Sequence, residues 1–316
     1  MDEPLTFPAS IPCRSCMGAL AAVPEQFEAH LAGRPQPCPG CKTADWWSQI
    51  RWALNDWSSP WTAPAVICGT QTSGKVRIDR GKSLILALTD WGVPEDAEIL
   101  EISVTPYGPA EGAPLWPLHM HGNHIVQHRV PNSLVLFGTP LGESAPESGE
   151  AFLSVWWIAP GPHDASVQHL ISAARHFIAG RYESIVVPAN VAAETALGSV
   201  MLDWVNSFIG KDRARRFLSD GATYSYQLNV LLPILSHSIS APSLQNEIRG
   251  RLNDLRKLRN EIAHGGRTEA AVDKAAAADL FAAAAFGFHY SKILSRAIAT
   301  SRQDGRVPFR RGDGAA

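Results

Sequence analysis

Two Cys-x-x-Cys pairs near the amino terminus constrain the fold of this chain more than any other feature. Cys13 and Cys16 form the first pair, and Cys38 and Cys41 form the second after an intervening loop. Four thiolates at this spacing can close a tetrahedron around zinc, and Gly40 inside the second pair suits a tight turn. Because an all-thiolate site has no open coordination position, we predict a structural Zn²⁺ in a zinc-ribbon-like module.

The expected compartment follows from what surrounds these cysteines. The chain begins Met1-Asp2-Glu3-Pro4, which is acidic and is followed by no apolar signal-peptide core. A reducing, cytoplasmic location is therefore expected, although two disulfides or four unrelated thiols are the alternatives to zinc. Apolar runs long enough to span a bilayer do not occur outside an alanine-rich tract that contains Lys274 and Asp279, so no membrane partner is expected.

The period of the apolar residues changes along the 316-residue chain. From about Lys75 to Pro160 short runs alternate apolar and polar residues, which predicts an antiparallel β sandwich or barrel. From about Asp164 the period is helical, which predicts an all-α bundle of five helices. The expected fold is multidomain α+β, with a zinc-ribbon-like module and tryptophan-rich linker at 1–61, a β-rich domain at 62–160, a helical bundle at 161–302 and a disordered tail at 303–316.

One helix of this bundle ends in an unusual group of polar residues. Its apolar residues recur at steps of three and four, which predicts a helix from about Ser243 to His264. They are Leu244, Ile248, Leu252, Leu255, Leu258 and Ile262. Gly265 and Gly266 supply the left-handed backbone that ends helices, so His264 lies in the last turn. Asn260 lies on the polar face with His264, and Arg259 lies at the edge of the apolar stripe.

The residues at this helix end can cut RNA without a metal. The 2′-hydroxyl of the substrate is the nucleophile, so the protein supplies only a base, an acid and a cation. His264 can move the proton, Arg259 can neutralise the phosphorane oxygens, and Asn260 can position the ribose or phosphate. The structural alternative is that Arg259 pairs with Glu261 or Asp254 while His264 caps the helix.

The order Arg-Asn-x-x-x-His-Gly at the end of a long amphipathic helix resembles the HEPN superfamily of ribonucleases and toxins. The segment Tyr182–Glu194 resembles the earlier helix start in the abortive-infection-associated (Apea-like) branch. The resemblance covers about Asp164 to Arg302. It implies a helical bundle that forms a homodimer around a cleft for single-stranded RNA, with Arg259, Asn260 and His264 in the catalytic positions. Some relatives with this fold are inactive interaction modules.

Further charged residues are candidates for the same site. Glu194 can orient Arg259, and a solvated or first-turn carboxylate is the alternative. The candidate RNA-binding residues beside the motif are Arg256, Lys257 and Arg267, because contacts to phosphate carry much of the affinity for nucleic acids. A second basic cluster lies in one loop and consists of Lys211, Arg213, Arg215 and Arg216. Since the net charge is −2, only such local clusters can attract RNA, and solvation of a face is their other explanation.

The β-rich segment contains a histidine cluster of its own, which consists of His119, His121, His124 and His128. The first two are spaced to share one face of a strand, as in a cupin-like metal site. Gln127 stands where a carboxylate ligand is expected. Surface or core histidines, a ligand sensor and a docking site for a partner are the alternatives to a metal role.

These observations predict a metal-independent endoribonuclease that cuts single-stranded RNA by 2′-hydroxyl attack and leaves a 2′,3′-cyclic phosphate. The resemblance implies a toxin or phage-defence effector, with an antitoxin or another protein as its partner. Two other functions fit the same residues. One is a non-catalytic dimeric scaffold of the HEPN fold. The other is a zinc-ribbon DNA-binding regulator with a β sensor domain.

Overall fold

The computed structural model shows a mixed α+β protein with antiparallel sheets and a helical carboxy-terminal region. The residues that it describes are 4–34, 37–42, 45–57, 62–107, 115–121, 133–140, 146–159, 165–268 and 270–308. The chain forms two compact units. The first consists of Met1–Ser10 and Cys68–Pro162, and the second consists of Ile11–Ile67 and His163–Ala316.

The first unit contains two antiparallel sheets. In spatial order, the four-stranded sheet consists of β1 (Leu5–Pro8), β4 (Thr70–Asp79), β9 (Ser148–Ile158) and β6 (Glu98–Tyr107). The three-stranded sheet consists of β5 (Ser83–Ala87), β8 (Ser133–Pro140) and β7 (Leu115–His121). Every pairing within these sheets is antiparallel. The alternating pattern in this part of the sequence therefore does mark strands.

Side chains from both sheets share one apolar core. Its members include Val76, Ile78, Leu86, Ile102, Leu134, Leu136, Leu153, Val155 and Trp157. In β4 and β9 they occupy alternate positions, as expected for strands with one buried face. Phe152 is 37% exposed because it is out of phase with Val155 and Trp157 and lies on the opposite face of β9. A 3₁₀ turn, Leu88–Trp91, adds Leu88 and Trp91 to the core.

The second unit begins with the cysteine-containing segment. Its regular elements are a hairpin of β2 (Ser10–Pro12) and β3 (Ala19–Ala21), followed by α1 (Pro24–Leu31), α2 (Trp46–Asn55) and α3 (Thr62–Val66). Asp45 caps α2 by accepting a hydrogen bond from the backbone N–H of Ser48 at 3.2 Å.

The remaining elements of this unit are helical. They are α4 (Ala165–Ile178), α5 (Val186–Ile209), α6 (Lys211–Arg216), α7 (Tyr224–Tyr226), α8 (Leu232–Ser238), α9 (Asn246–Gly265) and α10 (Lys274–Gln303). A 3₁₀ turn, Glu183–Ile185, precedes α5, and two π-helical turns, Phe217–Gly221 and Gln227–Leu231, flank α7.

Aromatic side chains join the cysteine-containing segment to the helices. Phe27 of α1 stacks on His289 of α10 with ring centroids 4.1 Å apart, and it meets Phe286 at 4.9 Å. Trp46 and Trp47 of α2 are buried and pack on Phe27 and Phe286. Residues 11–67 and the helices therefore share one core, whereas the sequence predicted separate domains at 1–61 and 161–302. Packing by tryptophans suits this segment, since small zinc-bound segments have little core of their own.

Helix α10 is the centre of the second unit. It contacts α1, α2, α4, α5 and α9, and its residues from Ala277 to Ser291 are almost all buried. Small side chains allow these close approaches. A Cβ atom at Gly287 would lie at van der Waals distance from two neighbouring helices, 3.4 Å from Leu252 of α9 and 3.6 Å from Ala193 of α5, so the three helices meet at this position.

The bounds of α9 agree with the sequence pattern to within a few residues. This helix was predicted from about Ser243 to His264 and runs from Asn246 to Gly265. Pro233 is the second residue of α8, and a π-helical turn, Gln227–Leu231, lies just before that helix, where proline has no N–H to donate to the preceding turn.

Two further predictions concern the chain ends and the membrane. Gln303 is the last residue of α10 and Val307 is buried, so the tail predicted from 303 begins with ordered residues, and 309–316 lie outside the described residues. One stretch, Glu183–Ile209, is long and apolar enough to cross a membrane by length and composition. Its most apolar 18-residue window is 56% buried inside the protein, and core helices of soluble proteins pass the same length and composition test.

Candidate functional site

The four cysteines of the two pairs converge on one point. Their Sγ atoms all lie within 4.8 Å of one another. Cys13 and Cys41 are 3.5 Å apart, and Cys16 and Cys38 are 3.6 Å apart. Tetrahedral zinc with ordinary zinc–sulfur bonds separates its sulfur ligands by about 3.8 Å. The cluster is therefore compatible with a structural Zn²⁺ held by all four thiolates.

Both cysteine pairs lie in the same kind of turn. The N–H of Met17 donates to the carbonyl of Cys13 at 2.8 Å, and the N–H of Lys42 donates to the carbonyl of Cys38 at 2.9 Å. Met17 and Lys42 also share a left-handed backbone, with φ of 60° and 66°. The first turn joins β2 to β3, and the second lies between α1 and α2. The two turns thus present their thiols in matching geometry, although only the first belongs to a hairpin.

The surroundings of Cys38 favour its thiolate form. The backbone N–H of Cys41 lowers the pKa of the Cys38 thiol, and the N–H of Gly40 adds to this effect against the opposing effect of burial. A Cβ atom at position 40 would lie 3.3 Å from Sγ of Cys16. The glycine inside the second pair therefore allows the backbone to approach the sulfur atoms closely, as the sequence indicated.

Helix α9 ends as its sequence predicts. Gly266 adopts a left-handed conformation with φ of 76°, and its N–H donates to the carbonyl of Ile262 at 2.8 Å. His264 lies in the last turn and is exposed. A substrate in solvent can therefore reach its imidazole.

An open pocket of about 540 Å³ lies beside this helix end, and we call it the α9 pocket. Its lining residues are Arg256, Lys257, Asn260, Glu261, His264, Gly265 and Arg267. Five of the residues singled out in the sequence are thus brought together. Three basic side chains face one carboxylate here, so the lining has a formal excess of two positive charges with His264 neutral. Such a surface attracts an anion.

Arg259 lies apart from this lining. Its Nη1 donates to Oδ1 of Asn260 at 3.2 Å, which connects it to the pocket through the amide. Arg259 and His264 are five positions apart, so their side chains leave the helix about 140° from each other. Arg256, Asn260 and His264 follow at steps of four and share one face. The guanidinium that shares a pocket with His264 in this chain is therefore that of Arg256.

The structural alternative for Arg259 was an ion pair with a neighbouring carboxylate. Asp254 instead pairs with Arg251 at 3.4 Å and with Lys257 at 3.7 Å. Within the described part of the chain Arg259 forms no ion pair. Its charge is consequently available to a ligand.

Glu194 was expected to orient Arg259. Among the described residues it forms no hydrogen bond or ion pair with Arg259, and it accepts a hydrogen bond from Nδ2 of Asn190 at 3.0 Å. Burial raises the pKa of the Tyr224 hydroxyl, the charge of Glu194 raises it further, and the charge of Arg256 lowers it. Glu194 therefore lies near the Tyr224 hydroxyl, and so does Arg256, which precedes Arg259 by about one turn of α9.

Sequence reasoning assigned no role to Glu183, which holds the segment after α9. Its Oε1 accepts hydrogen bonds from the backbone N–H of Thr268 at 2.8 Å and from the Thr268 hydroxyl at 3.0 Å. These bonds lower the pKa of the Glu183 carboxyl. The only signal in the sequence was an acidic residue just before an apolar helix, which also describes an ordinary solvated carboxylate.

The histidine cluster of the β-rich segment is only partly described. His119 and His121 lie in β7, where they pair in register with Leu136 and Leu134 of β8. His124 and His128 lie outside the described residues.

Comparisons with known proteins add no relative to this picture. No family model, curated protein or solved structure matches the chain. The resemblance of residues 164–302 to the HEPN superfamily therefore stays a prediction.

Proposed function

We propose that this protein is a metal-independent endoribonuclease of HEPN type that cuts single-stranded RNA. The observation that supports this most is the α9 pocket, where His264, Asn260 and Arg256 line one open, positively charged cavity. A proton-transfer group, an amide and a guanidinium in one accessible place are what 2′-hydroxyl transesterification requires.

The proposed reaction assigns each of these residues one task. His264 accepts the proton of the 2′-hydroxyl as the 2′-oxygen forms its bond to phosphorus. Asn260 positions the ribose or phosphate, and Arg256 neutralises the non-bridging oxygens through its planar fork. Arg259, held by Asn260, adds a second guanidinium at the edge of the site. The products are a 2′,3′-cyclic phosphate and a 5′-hydroxyl.

The leaving 5′-oxygen needs a proton when its bond to phosphorus breaks. The α9 pocket contains one histidine, so a second acid is needed at the same time. In the proposed homodimer, His264 of a second copy supplies that proton. The dimer forms through the helical domain, with two copies of α9 facing one cleft.

The other parts of the chain receive supporting tasks in this proposal. Cys13, Cys16, Cys38 and Cys41 hold a structural zinc in a zinc-ribbon-like module, and the two antiparallel sheets form a sandwich or barrel that serves recognition or regulation. A cytoplasmic toxin or phage-defence effector, controlled by an antitoxin or another protein, fits this arrangement. The matching cysteine turns support the zinc assignment, and the apolar core shared by the two sheets supports the sandwich or barrel.

A non-catalytic dimeric scaffold is the second candidate, and one observation supports contact with another protein. Three apolar residues follow at steps of four and are each between 37% and 51% exposed: Tyr226 in α7, Val230 in the second π-helical turn and Ile234 in α8. An apolar stripe of this kind suits contact with another protein. Such a surface fits a scaffold and a dimeric enzyme equally, so a measurement of RNA cleavage has to distinguish the two functions.

The test is a cleavage assay with end-labelled single-stranded RNA and chelator present. Wild-type protein is expected to cut, and His264→Ala, Arg256→Ala and Arg259→Ala are expected to cut much more slowly. His237→Ala is a matched control, because His237 is also exposed in the last turn of a helix but lies outside the α9 pocket. A substrate with 2′-deoxyribose throughout should remain intact. Equal cleavage by all variants would indicate contamination and contradict the proposal.

A further inference from the structure

A second pocket of about 420 Å³ lies in the same helical unit, and we call it the Arg215 pocket. Its lining residues are Glu194, Gly198, Leu202, Arg215, Arg216, Leu218, Ser219 and Gln227. They come from α5, α6 and the two π-helical turns on either side of α7. The proposed cleavage reaction uses none of them.

The Arg215 pocket is built by unusual backbone. Two π-helical turns contribute to its wall, and such turns in proteins are rare and frequently lie at functional sites. Gln227 joins them, since its Nε2 donates to the carbonyls of Leu218 at 3.3 Å and Ala222 at 2.8 Å. One side chain thus satisfies carbonyls of the first turn while it lines the cavity.

The charges of this pocket suit a phosphate. Arg215 and Arg216 are exposed, and neither forms an ion pair with any residue that the structure describes. The segment 211–220 contains four basic and two acidic residues, and Asp220 accepts a hydrogen bond from Ser219 at 2.6 Å. Glu194 is the single carboxylate in the lining, where Asn190 donates to it. Two unpaired guanidiniums match the oxygen fork of a phosphate.

An aromatic ring stands next to these arginines. Phe217 follows Arg216 directly, begins the first π-helical turn and is 39% exposed. Exposed aromatic rings beside basic side chains are the usual means of holding single-stranded nucleic acid, because bases stack on the rings while phosphates meet the cations.

Polar residues near Tyr224 belong to both pockets. Glu194 lines the Arg215 pocket, Arg256 lines the α9 pocket, and the charges of both act on the buried Tyr224 hydroxyl. Three buried atoms of this cluster, Oδ1 of Asn190, the Tyr224 hydroxyl and Nε of Arg256, have no hydrogen-bond partner among the described residues. Buried polar groups without a protein partner usually meet solvent or a ligand.

We propose that the Arg215 pocket is a second RNA subsite, which binds a phosphate of the strand whose cleaved linkage lies in the α9 pocket. This inference rests on the proposed function. It assigns Arg215 and Arg216 to substrate binding away from the reacting atoms, and Phe217 to stacking of an adjacent base. A free nucleotide would use the same phosphate chemistry, so the test separates the two ligands.

The experiment measures binding of fluorescent 2′-O-methyl RNA, which cannot be cleaved at its blocked 2′-oxygens, to the full chain. Arg215→Gln/Arg216→Gln is compared with Lys211→Gln/Arg213→Gln, which makes the same charge change in the same segment outside the pocket. The first double variant should bind a long oligonucleotide about tenfold more weakly and reduce the salt dependence by roughly two phosphate contacts. A dinucleotide should bind all three proteins alike. Circular dichroism checks that each variant is folded.

The outcomes for the subsite and for the nuclease are distinguishable. If the long oligonucleotide binds both double variants equally, or if ATP displaces it at the Arg215 pocket and RNA length has no effect, the subsite is wrong. That result leaves cleavage dependent on His264 unaffected. If the selective loss of binding occurs but wild-type protein cuts no RNA, the subsite holds and the nuclease proposal fails. With both correct, the first double variant raises KM for long RNA and leaves kcat unchanged.

Discussion

Glu183 accepts two hydrogen bonds from Thr268, one from its backbone N–H at 2.8 Å and one from its hydroxyl at 3.0 Å. The contact joins the turn before α5 to the segment after α9, across 85 positions of sequence. Thr268 is 7% exposed. Since Gly266 and Arg267 lie between α9 and this anchor, Glu183 fixes the path of the chain at one wall of the α9 pocket.

Glu183→Gln should weaken this anchor in a pH-dependent way. The bonds from Thr268 lower the pKa of the carboxyl in the folded protein. The carboxylate therefore stabilises the fold above the pKa of the unfolded chain, and its contribution is lost as pH falls through the folded-state pKa. We expect the variant to melt at a lower temperature than wild type at neutral pH and at the same temperature in acid. A difference in melting temperature that persists unchanged in acid would contradict this account, and a double-mutant cycle with Thr268→Val isolates the hydroxyl bond.

His289 should make the protein sensitive to mild acid. Burial lowers the pKa of its imidazole to about 3, and the charge of Lys292 adds to the effect. Since this value lies below the unfolded value of 6.5, stability is complete above that pH and falls as pH decreases toward 3. The expected loss between neutral pH and pH 5 is roughly 2 kcal/mol.

Denaturant unfolding at both pH values tests this expectation. His289→Phe keeps a ring against Phe27 and removes the titrating group, and His289→Leu provides a second variant with a smaller side chain. Both should lose the part of the pH dependence that His289 causes. Burial also lowers the pKa of His30, so a smaller dependence of stability on pH should remain in these variants. Identical pH profiles for wild type and both variants would show that His289 is not the cause.

The cysteine cluster should bind one zinc ion per chain. Because the cluster lies in the segment whose aromatic residues pack on α10, removal of zinc should lower the melting temperature of the whole helical unit. Cys38→Ser should lose the zinc and show the same drop. Cys68→Ser is the matched control, since Cys68 is outside the cluster. Zinc content measured by mass spectrometry decides the matter, and full zinc occupancy of the Cys38 variant would exclude a four-cysteine site.

Arg51 should stabilise the second unit by joining α2 to two other helices. Its Nη2 donates to Oδ2 of Asp279 in α10 at 2.8 Å, and its Nη1 donates to Glu247 in α9 at 2.8 Å. Arg51→Ala should cost about 1–2 kcal/mol, less than for a fully buried pair, since Asp279 keeps a partner in Arg251 at 3.1 Å. Urea unfolding gives the cost.

The control for Arg51 is Arg249→Ala, whose side chain bonds to Asn246 within its own helix. A double-mutant cycle with Asp279→Asn should show coupling between Arg51 and Asp279. If Arg51→Ala and Arg249→Ala cost the same, or if no coupling appears, the ion pair contributes nothing specific to the packing of α2.

Local patterns in the sequence predicted much of this fold, and contacts between distant residues explain what they missed. The apolar stripe from Leu244 to Ile262 and the two glycines after His264 were sufficient for α9, because helix period and helix ends are encoded nearby. The cysteine cluster could be predicted for the same reason, since each Cys-x-x-Cys pair is a local pattern. In contrast, the packing of Phe27 on His289 joins residues that no local pattern connects, so the unit formed by 11–67 with the helices could not be inferred.

The candidate site shows the same division. Asn260 and His264 were placed together because they are one helical turn apart. Arg259 was expected beside them from its position in the motif, yet its side chain leaves the helix about 140° away from that of His264, and Arg256 takes the place in the pocket. The bonds from Thr268 to Glu183, and the proximity of Glu194 to Tyr224 and Arg256, depend on how α5 and α9 pack.

The proposed nuclease function is tested by the rate at which His264→Ala and His237→Ala cut the same end-labelled single-stranded RNA, with the product ends identified by mass spectrometry. We expect 2′,3′-cyclic phosphate ends, wild-type cleavage by the His237 variant, and a loss of at least about 100-fold in the His264 variant, which is the usual size of a general acid–base contribution. Equal rates for the two variants, or products with 3′-hydroxyl ends, would contradict it.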